Sequence, residues 1–322
     1  MTTSSTLPRA TWRPFRGTSR LRPVCRGKHE SRNPIDCCIW LGFDLGTQSV
    51  RAVAVSETGR VPGQGSHPLA SRRDGPLHEQ DPEDWWHAIV CACRAALTGL
   101  PASSIRGVAV DGTSGTILLV DRSGKALTSG LMYDDTRAAD EARRANEAGA
   151  DIWASLGYRM QPSWALPKLL WLLREHRDVI SGARLAHQAD FINCRLAGHE
   201  VSSDSSNALK TGYDLVRETW PYEVLEALGV PDQIMPAVVR PGMPVGAVCS
   251  EAAAMTGIPT GTPIIARDPA GIVYSHRSPD GNWLPGGASS TGAAILAKQF
   301  PGRNLDALSA QAAEREPASV IA

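Results

Sequence analysis

Hydrophobic and polar positions fall into one plan twice: a short apolar strand, a turn built from Asp, Gly and Thr, and a second apolar strand. Residues 41–55 carry Leu41, Phe43, Val50, Val53 and Val55 around the turn Asp44-Leu45-Gly46-Thr47-Gln48-Ser49. Residues 108–121 carry Val108, Val110 and the run Ile117-Leu118-Leu119-Val120 around Asp111-Gly112-Thr113-Ser114-Gly115-Thr116. Each reads as a strand pair closed by a tight turn. Between them, residues 60–80 are rich in Gly, Pro, Ser and charge and predict one further strand and a loop. Asp81 then supplies an N-cap, Pro82 a first helical position where no N–H is missed, and Glu83 and Asp84 acidic charge at the positive end of a helix. The stripe Trp85, Ile89, Val90, Cys93, Ala96 and Leu97 recurs at helical spacing, which puts Trp85 and Trp86 in a core.

Downstream, residues 140–156 predict a helix. A second covers 166–178 with Leu169, Leu170, Leu172 and Leu173 buried, and a third covers 186–196 and stops at Gly198. The Gly- and Pro-rich stretch 241–263 holds a strand at 245–248, a short helix near 251–255, and a tight turn into Ile264-Ile265-Ala266. Strand pair, helix, strand pair is the order of an α/β chain, a mixed sheet with helices packed on it.

Composition narrows the function classes. The 322 residues leave room for two domains, with 42% hydrophobic and 20% charged residues to build ordinary cores. Lys plus Arg and Asp plus Glu both number 33, so the chain exerts no general pull on nucleic acid or an anionic membrane, and an anionic ligand must be held locally. No apolar run approaches the roughly 18–20 residues of a membrane span. The seven Cys show no doubled Cys-x-x-Cys pattern, and a reducing cytoplasm is the expected setting. Residues 1–38 form a basic extension, with Arg9, Arg13, Arg16, Arg20, Arg22, Arg26, Lys28 and Arg32 among Ser, Thr and Pro. A transit peptide fits that composition, but the lack of an amphipathic period favours a disordered tail or an over-extended translation start.

The turns carry the candidate chemistry. An acid at a strand end can hold a hydrated cation, and Gly46 and Thr47 let backbone N–H groups and a hydroxyl approach phosphate oxygens; an ordinary hairpin uses the same residues. Thr113 and Ser114 can each donate and accept a hydrogen bond, which suits a polyol, with turn capping as the alternative. Asp135 and Arg137 follow an apolar strand and by themselves read as a surface ion pair.

The first motif, the run Glu79-Gln80-Asp81-Pro82-Glu83-Asp84-Trp85-Trp86, the second turn, and segments 131–138, 189–198 and 206–214 occur in an order that resembles the N-terminal domain of the FGGY family of carbohydrate kinases. The resemblance covers most of residues 40–266. It implies a ribonuclease H-like, actin-like ATPase fold with a mixed sheet flanked by helices, an N-terminal domain at 39–266, and a partial second domain at 267–322. It also implies ATP and Mg²⁺ as cofactors, with Asp44 organising the metal through water and Gly46, Thr47, Gln48 and Ser49 near the transferred phosphoryl group. Thr113, Ser114, Asp135 and Arg137 would lie near a small sugar, and the second turn is similar to the subgroup acting on ketopentoses such as D-ribulose or D-xylulose. That turn differs from the Met-His of common xylulokinases.

The family's catalytic base sits in a Gly-Gly/Thr-x-Asp segment after a strand like 263–266. Here the chain reads Ala266-Arg267-Asp268-Pro269, and residues 274–292 resemble elements that lie further downstream in the family, as if an internal block were missing. Asp268 is therefore either the base in an altered setting or a loop residue held extended by Pro269. The expected activity is ATP-dependent phosphorylation of a small sugar, with sugar and ATP as the partners. The alternative is a catalytically impaired sugar- or nucleotide-binding remnant. An actin-like or chaperone-type ATPase would share the phosphate turn but not the Glu79 to Asp84 or 207–214 segments. Apolar surface left bare beside an incomplete second domain would favour pairing of two copies, a homodimer.

Overall fold

Alternation dictates the first strand, β1 (Ile39–Leu45): Ile39, Leu41, Phe43 and Leu45 are buried, while Trp40 and Asp44 are exposed on the other face. Strand β2 (Ser49–Ser56) returns antiparallel with Val50, Ala52 and Ala54 on the buried face, and β3 (Gly63–Pro68) continues the meander to the sheet edge. This computed structural model describes residues 38–178 and 180–266, and beyond them the backbone of two short paired strands, His276–Arg277 and Trp283–Leu284. The basic extension at 1–37 and Asp268 lie outside the described residues.

Residues 60–80 form three strands rather than one: β3, β4 (Arg72–Asp74) and β5 (Leu77–Gln80). All three residues of β4 are exposed, so backbone pairing with β5 makes it a strand and no apolar alternation marks it. Helix α1 (Pro82–Ala96) begins as expected, with the Asp81 carboxylate accepting from the Glu83 N–H at 2.9 Å, and Trp85 and Trp86 are both buried. It packs across β2 and β3 at close range. A Cβ on Gly63 would come within 2.0 Å of the Ala96 carbonyl oxygen, and one on Gly65 within 2.2 Å of the Ala92 carbonyl oxygen, so only glycine lets the helix backbone sit on the strand.

The second motif departs from the expected hairpin. Strand β6 (Ile105–Gly112) runs parallel to β1, but β7 (Ile117–Val120) crosses to another sheet, where it meets β8 (Gly130–Leu131). All four residues of β7 are buried, so its sequence has no period that assigns it to one sheet. The helix expected at 140–156 is two, α2 (Ala139–Ala148) and α3 (Ala150–Ser155). The break falls at Gly149, against which Trp153 folds back to donate its indole N–H to the Ala145 carbonyl at 2.8 Å. Helix α4 (Ala165–Glu175) buries Leu169, Leu170, Leu172 and Leu173 as expected. Ala186 and His187, read from sequence as helical, belong to β9 (Arg184–His187), which pairs with β7; α5 (Gln188–Ala197) starts only at Gln188.

The chain then passes through β10 (Ser203–Asp204), α6 (Ser205–Ala208), α7 (Tyr222–Ala227) and β11 (Val238–Val239). It closes with β12 (Pro244–Ala247), α8 (Ser250–Thr256) and β13 (Pro263–Ala266). The two larger sheets are ordered β12-β13-β6-β1-β2-β3 and β4-β5-β8-β7-β9, and β10 pairs with β11 in a parallel two-stranded sheet. One core lies between the first sheet and α1, α5 and α8, and a second gathers β7, α4 and residues 208–235. Among the described residues no helix is long and apolar enough to cross a membrane. Gly65→Ala should destabilise the chain by about 1–3 kcal/mol through overpacking; an unchanged urea midpoint would show that α1 can lift from β3 freely.

Candidate functional site at the ends of β1 and β6

Parallel pairing of β1 with β6 aligns Asp44 with Asp111 and Leu45 with Gly112. The turns at 46–49 and 113–116 therefore leave the sheet side by side. Asp44 and Asp111 occupy neighbouring positions on one face, so two carboxylates stand side by side at the strand ends. Arg51 reaches Asp44 at 3.5 Å, but both side chains are more than half exposed, so this pair stabilises little. An exposed carboxylate with a second acid beside it is an all-oxygen donor set, and it fits a hydrated Mg²⁺ better than a thiophilic metal. Asp111 was not among the site residues expected from sequence; the Asp shared by the two motifs was the signal, and only the strand register makes it meaningful.

The phosphate-type turn is held from behind. The Gly46 N–H donates to the Ser49 carbonyl at 3.1 Å, and the Leu69 N–H donates to the Gln48 carbonyl at 2.8 Å. The Gln80 amide donates to the Thr47 carbonyl and to Ser71 Oγ, each at 2.8 Å, while its Oε1 accepts from the Trp85 indole at 2.7 Å. Gln80 thus fixes the turn to the start of α1, a role invisible in its sequence position.

The second turn is held by α5 and by the 3-10 turn Leu209–Thr211. Thr113 donates both its N–H and its hydroxyl to Gln188 Oε1 at 2.9 Å, and its Oγ1 lies 2.5 Å from Thr116 Oγ1. Gly115 takes a φ of +94°, which the reversal requires. The Lys210 ammonium donates to the Ser114 carbonyl at 2.9 Å, and burial pushes its pKa down to about 8. The Thr113 hydroxyl is engaged inside the turn, while Ser114 is half-buried beside it.

Asp135 and Arg137 are an internal pair, not a surface one. Asp135 is fully buried and accepts from the His78 N–H at 2.7 Å and from Arg137 Nη2 at 2.7 Å. Arg137 also reaches Glu79 at 2.7 Å and lies over the Trp171 ring at 4.6 Å. Nearby Lys168 is wholly buried and donates to the carbonyls of Leu131 and Met132 at 3.3 and 2.7 Å; burial lowers its pKa to about 7, against the pull of Asp135. Asn207 donates to the Asp204 carboxylate at 2.9 Å, and Asp204 in turn caps α6, an architectural arrangement.

Residues 39–268 match the N-terminal domain of the FGGY family of carbohydrate kinases. The chain belongs to this family. It is 31% identical over 203 residues to a xylulose kinase of Klebsiella pneumoniae, covering 62% of this chain and 42% of that protein. It is 33% identical over 239 residues to an autoinducer-2 kinase of Yersinia enterocolitica, covering 70% and 44%. Among solved structures, the xylulose kinase of Rhodospirillum rubrum superposes with a TM-score of 0.66 at 26% identity, over 71% of this chain and 48% of that one. The chain thus spans about half the length of these FGGY relatives. The fold is the actin-like ATPase type, with its mixed sheet and flanking helices, as the sequence resemblance implied.

Both buried lysines return to about 10.5 on unfolding. The unfolded chain therefore binds more of these protons between about pH 7 and 10.5, and the two lysines make the folded state gain stability as pH rises through that window. The buried Cys93 thiol and Tyr158 phenol, both raised by burial, act in the opposite sense at the upper end, so a variant comparison is needed. The stability of Lys168→Met should rise less steeply with pH above 7 than that of the parent, measured by urea unfolding. Equal slopes would mean that Lys168 stays fully charged when buried.

Proposed function

We propose that this chain carries the phosphate- and sugar-contacting domain of an ATP-dependent kinase acting on a small sugar, a ketopentose such as D-xylulose or D-ribulose. The observation that carries this reading is the side-by-side exit of the two turns from β1 and β6, with Asp44 and Asp111 adjacent at their base. Phosphoryl transfer requires little covalent chemistry from a protein and much positioning and charge stabilisation. ATP with Mg²⁺ supplies the transferable group when bound. Asp44 would hold the ion through water, with Asp111 adding negative charge beside it. Gly46, Thr47, Gln48 and Ser49 would face the phosphoryl group on a turn whose carbonyls of Thr47 and Gln48 are already satisfied from the protein side.

Ser114 is the hydroxyl best suited to the sugar, because Thr113 is committed to Gln188 and Thr116. Asp135 and Arg137 enter as a buried brace behind the substrate, with their charged atoms engaged by His78, Glu79 and each other. Asp268 is the candidate base. Domains at 39–266 and 267–322, a cytoplasmic setting and a homodimer belong to the same reading. Among the described residues, Cys91, Cys93, Cys194 and Cys249 carry no disulfide, which supports a reducing compartment. The groove lined by Trp40, Val53, Val55 and Ile265, with Trp40 44% exposed, supports pairing.

The purified chain with MgATP should release ADP in the presence of a ketopentose and not with glycerol. Sugar binding by thermal shift without ADP release would instead establish the catalytically impaired remnant. Asp44→Ala should abolish Mg²⁺-dependent nucleotide binding while leaving the far-ultraviolet circular dichroism unchanged, and retained binding would remove Asp44 from the metal. Ser114→Ala should weaken ketose binding by about 0.5–1.5 kcal/mol, the worth of one hydrogen bond; an affinity equal to the parent's would take Ser114 away from the sugar.

A further inference from the structure

On the face of the first sheet opposite Asp44, three metal-ligating side chains converge. His87 and Cys91 stand one turn apart on α1, the i and i+4 spacing that aims two side chains at one point. His67 comes from β3, two residues beyond Gly65 and on the same side of the strand. The glycines at 63 and 65 bring the α1 backbone down onto β3, and this close approach carries His67 into reach of the other two. The His67 and His87 rings meet edge-on with centroids 5.2 Å apart, and Cys91 Sγ lies 3.5 Å from His87 Nε2. One ligand atom from each residue lies within 4.8 Å of the other two.

We propose that His67, His87 and Cys91 form a binding site for a borderline-soft divalent ion of the Zn²⁺ class that clamps the edge strand β3 to helix α1. Two imidazoles and a thiolate are the donors such an ion selects, and Mg²⁺ and Ca²⁺ do not. Tetrahedral bonds of about 2.0–2.3 Å place ligand atoms roughly 3.3–3.8 Å apart, so small side-chain rotations from the present spacing complete the site, with water in the fourth position. His87 is exposed and His67 and Cys91 are half-buried, so the ion enters from solvent. Two neighbouring charged side chains are engaged elsewhere: Glu83 pairs with Arg195, and Arg94 bonds the carbonyls of Met255 and Ala254. His67 is registered opposite Val50, and Pro68 opposite Ser49. The clamp therefore grips the strand that backs the 46–49 turn, and metal occupancy would stiffen that turn without touching it.

The test uses the full chain without an affinity tag, titrated with Zn²⁺ against a chromogenic chelator. One equivalent should bind, millimolar Mg²⁺ should not displace it, and bound Zn²⁺ should protect Cys91 from alkylation by iodoacetamide as read by peptide mass spectrometry. His67→Ala and Cys91→Ser should each lower affinity at least roughly tenfold, a modest figure for a lost ligand. His67→Gln, which keeps a polar side chain of similar length but offers no imidazole nitrogen, should do the same and should leave Cys91 open to alkylation in the presence of Zn²⁺. Full affinity in both His67 variants, binding that leaves Cys91 reactive, or no binding at all would each overturn the proposal.

Discussion

Parallel pairing of β1 with β6 fixes where two loops from distant parts of the sequence leave the sheet, because parallel strands end together at the same edge. A shift of one residue in that register would turn Asp111 to the face packed by α5 and separate it from Asp44. The buried alternation of Ile39, Leu41, Phe43 and Leu45 against Val108 and Val110 prevents this, since slippage would expose large apolar side chains. Hydrophobic burial thus sets the electrostatics of the candidate site.

Behind each turn stands a polar side chain with little exposure to water. Gln80 holds the first, and Gln188 and Lys210 hold the second. Gln80 and Gln188 tie both turns to the first core, and Lys210 ties the second turn to the other core as well. Burying the Lys168 and Lys210 ammonium groups costs stability, and that cost is partly offset by carbonyl acceptors whose geometry would otherwise be loose. Under the proposed kinase reading, such rigidity would serve phosphoryl transfer, where misplacement of the reacting groups is costly.

Much of this was legible in the chain itself. The cap at Asp81, the apolar stripe of α1 and the leucines of α4 are local signals, and local physics decides them. The family resemblance rested on motifs whose order is specific. What escaped the sequence was decided by tertiary contact: β7 is buried all round and carries no period, β4 has no apolar residue facing a core, and the break at Gly149 depends on a Trp153 indole folding back. His187 reads as helical beside Gln188 until its pairing with Ile117 is known. Asp111, Gln80 and Gln188 matter through partners 33 to 75 residues away or on another strand, and no window along the chain contains both ends of those contacts.

The six-stranded sheet is bounded by β3 and β12, and each of these edges carries a proline, Pro68 and Pro244. A proline offers no N–H to an incoming strand, and β12 is only four residues long. Each proline removes one donor from its edge, which hinders sideways growth of the sheet into ribbons or fibrils. The partly apolar sheet face around Trp40 therefore sits between two edges that are poor templates for a further strand.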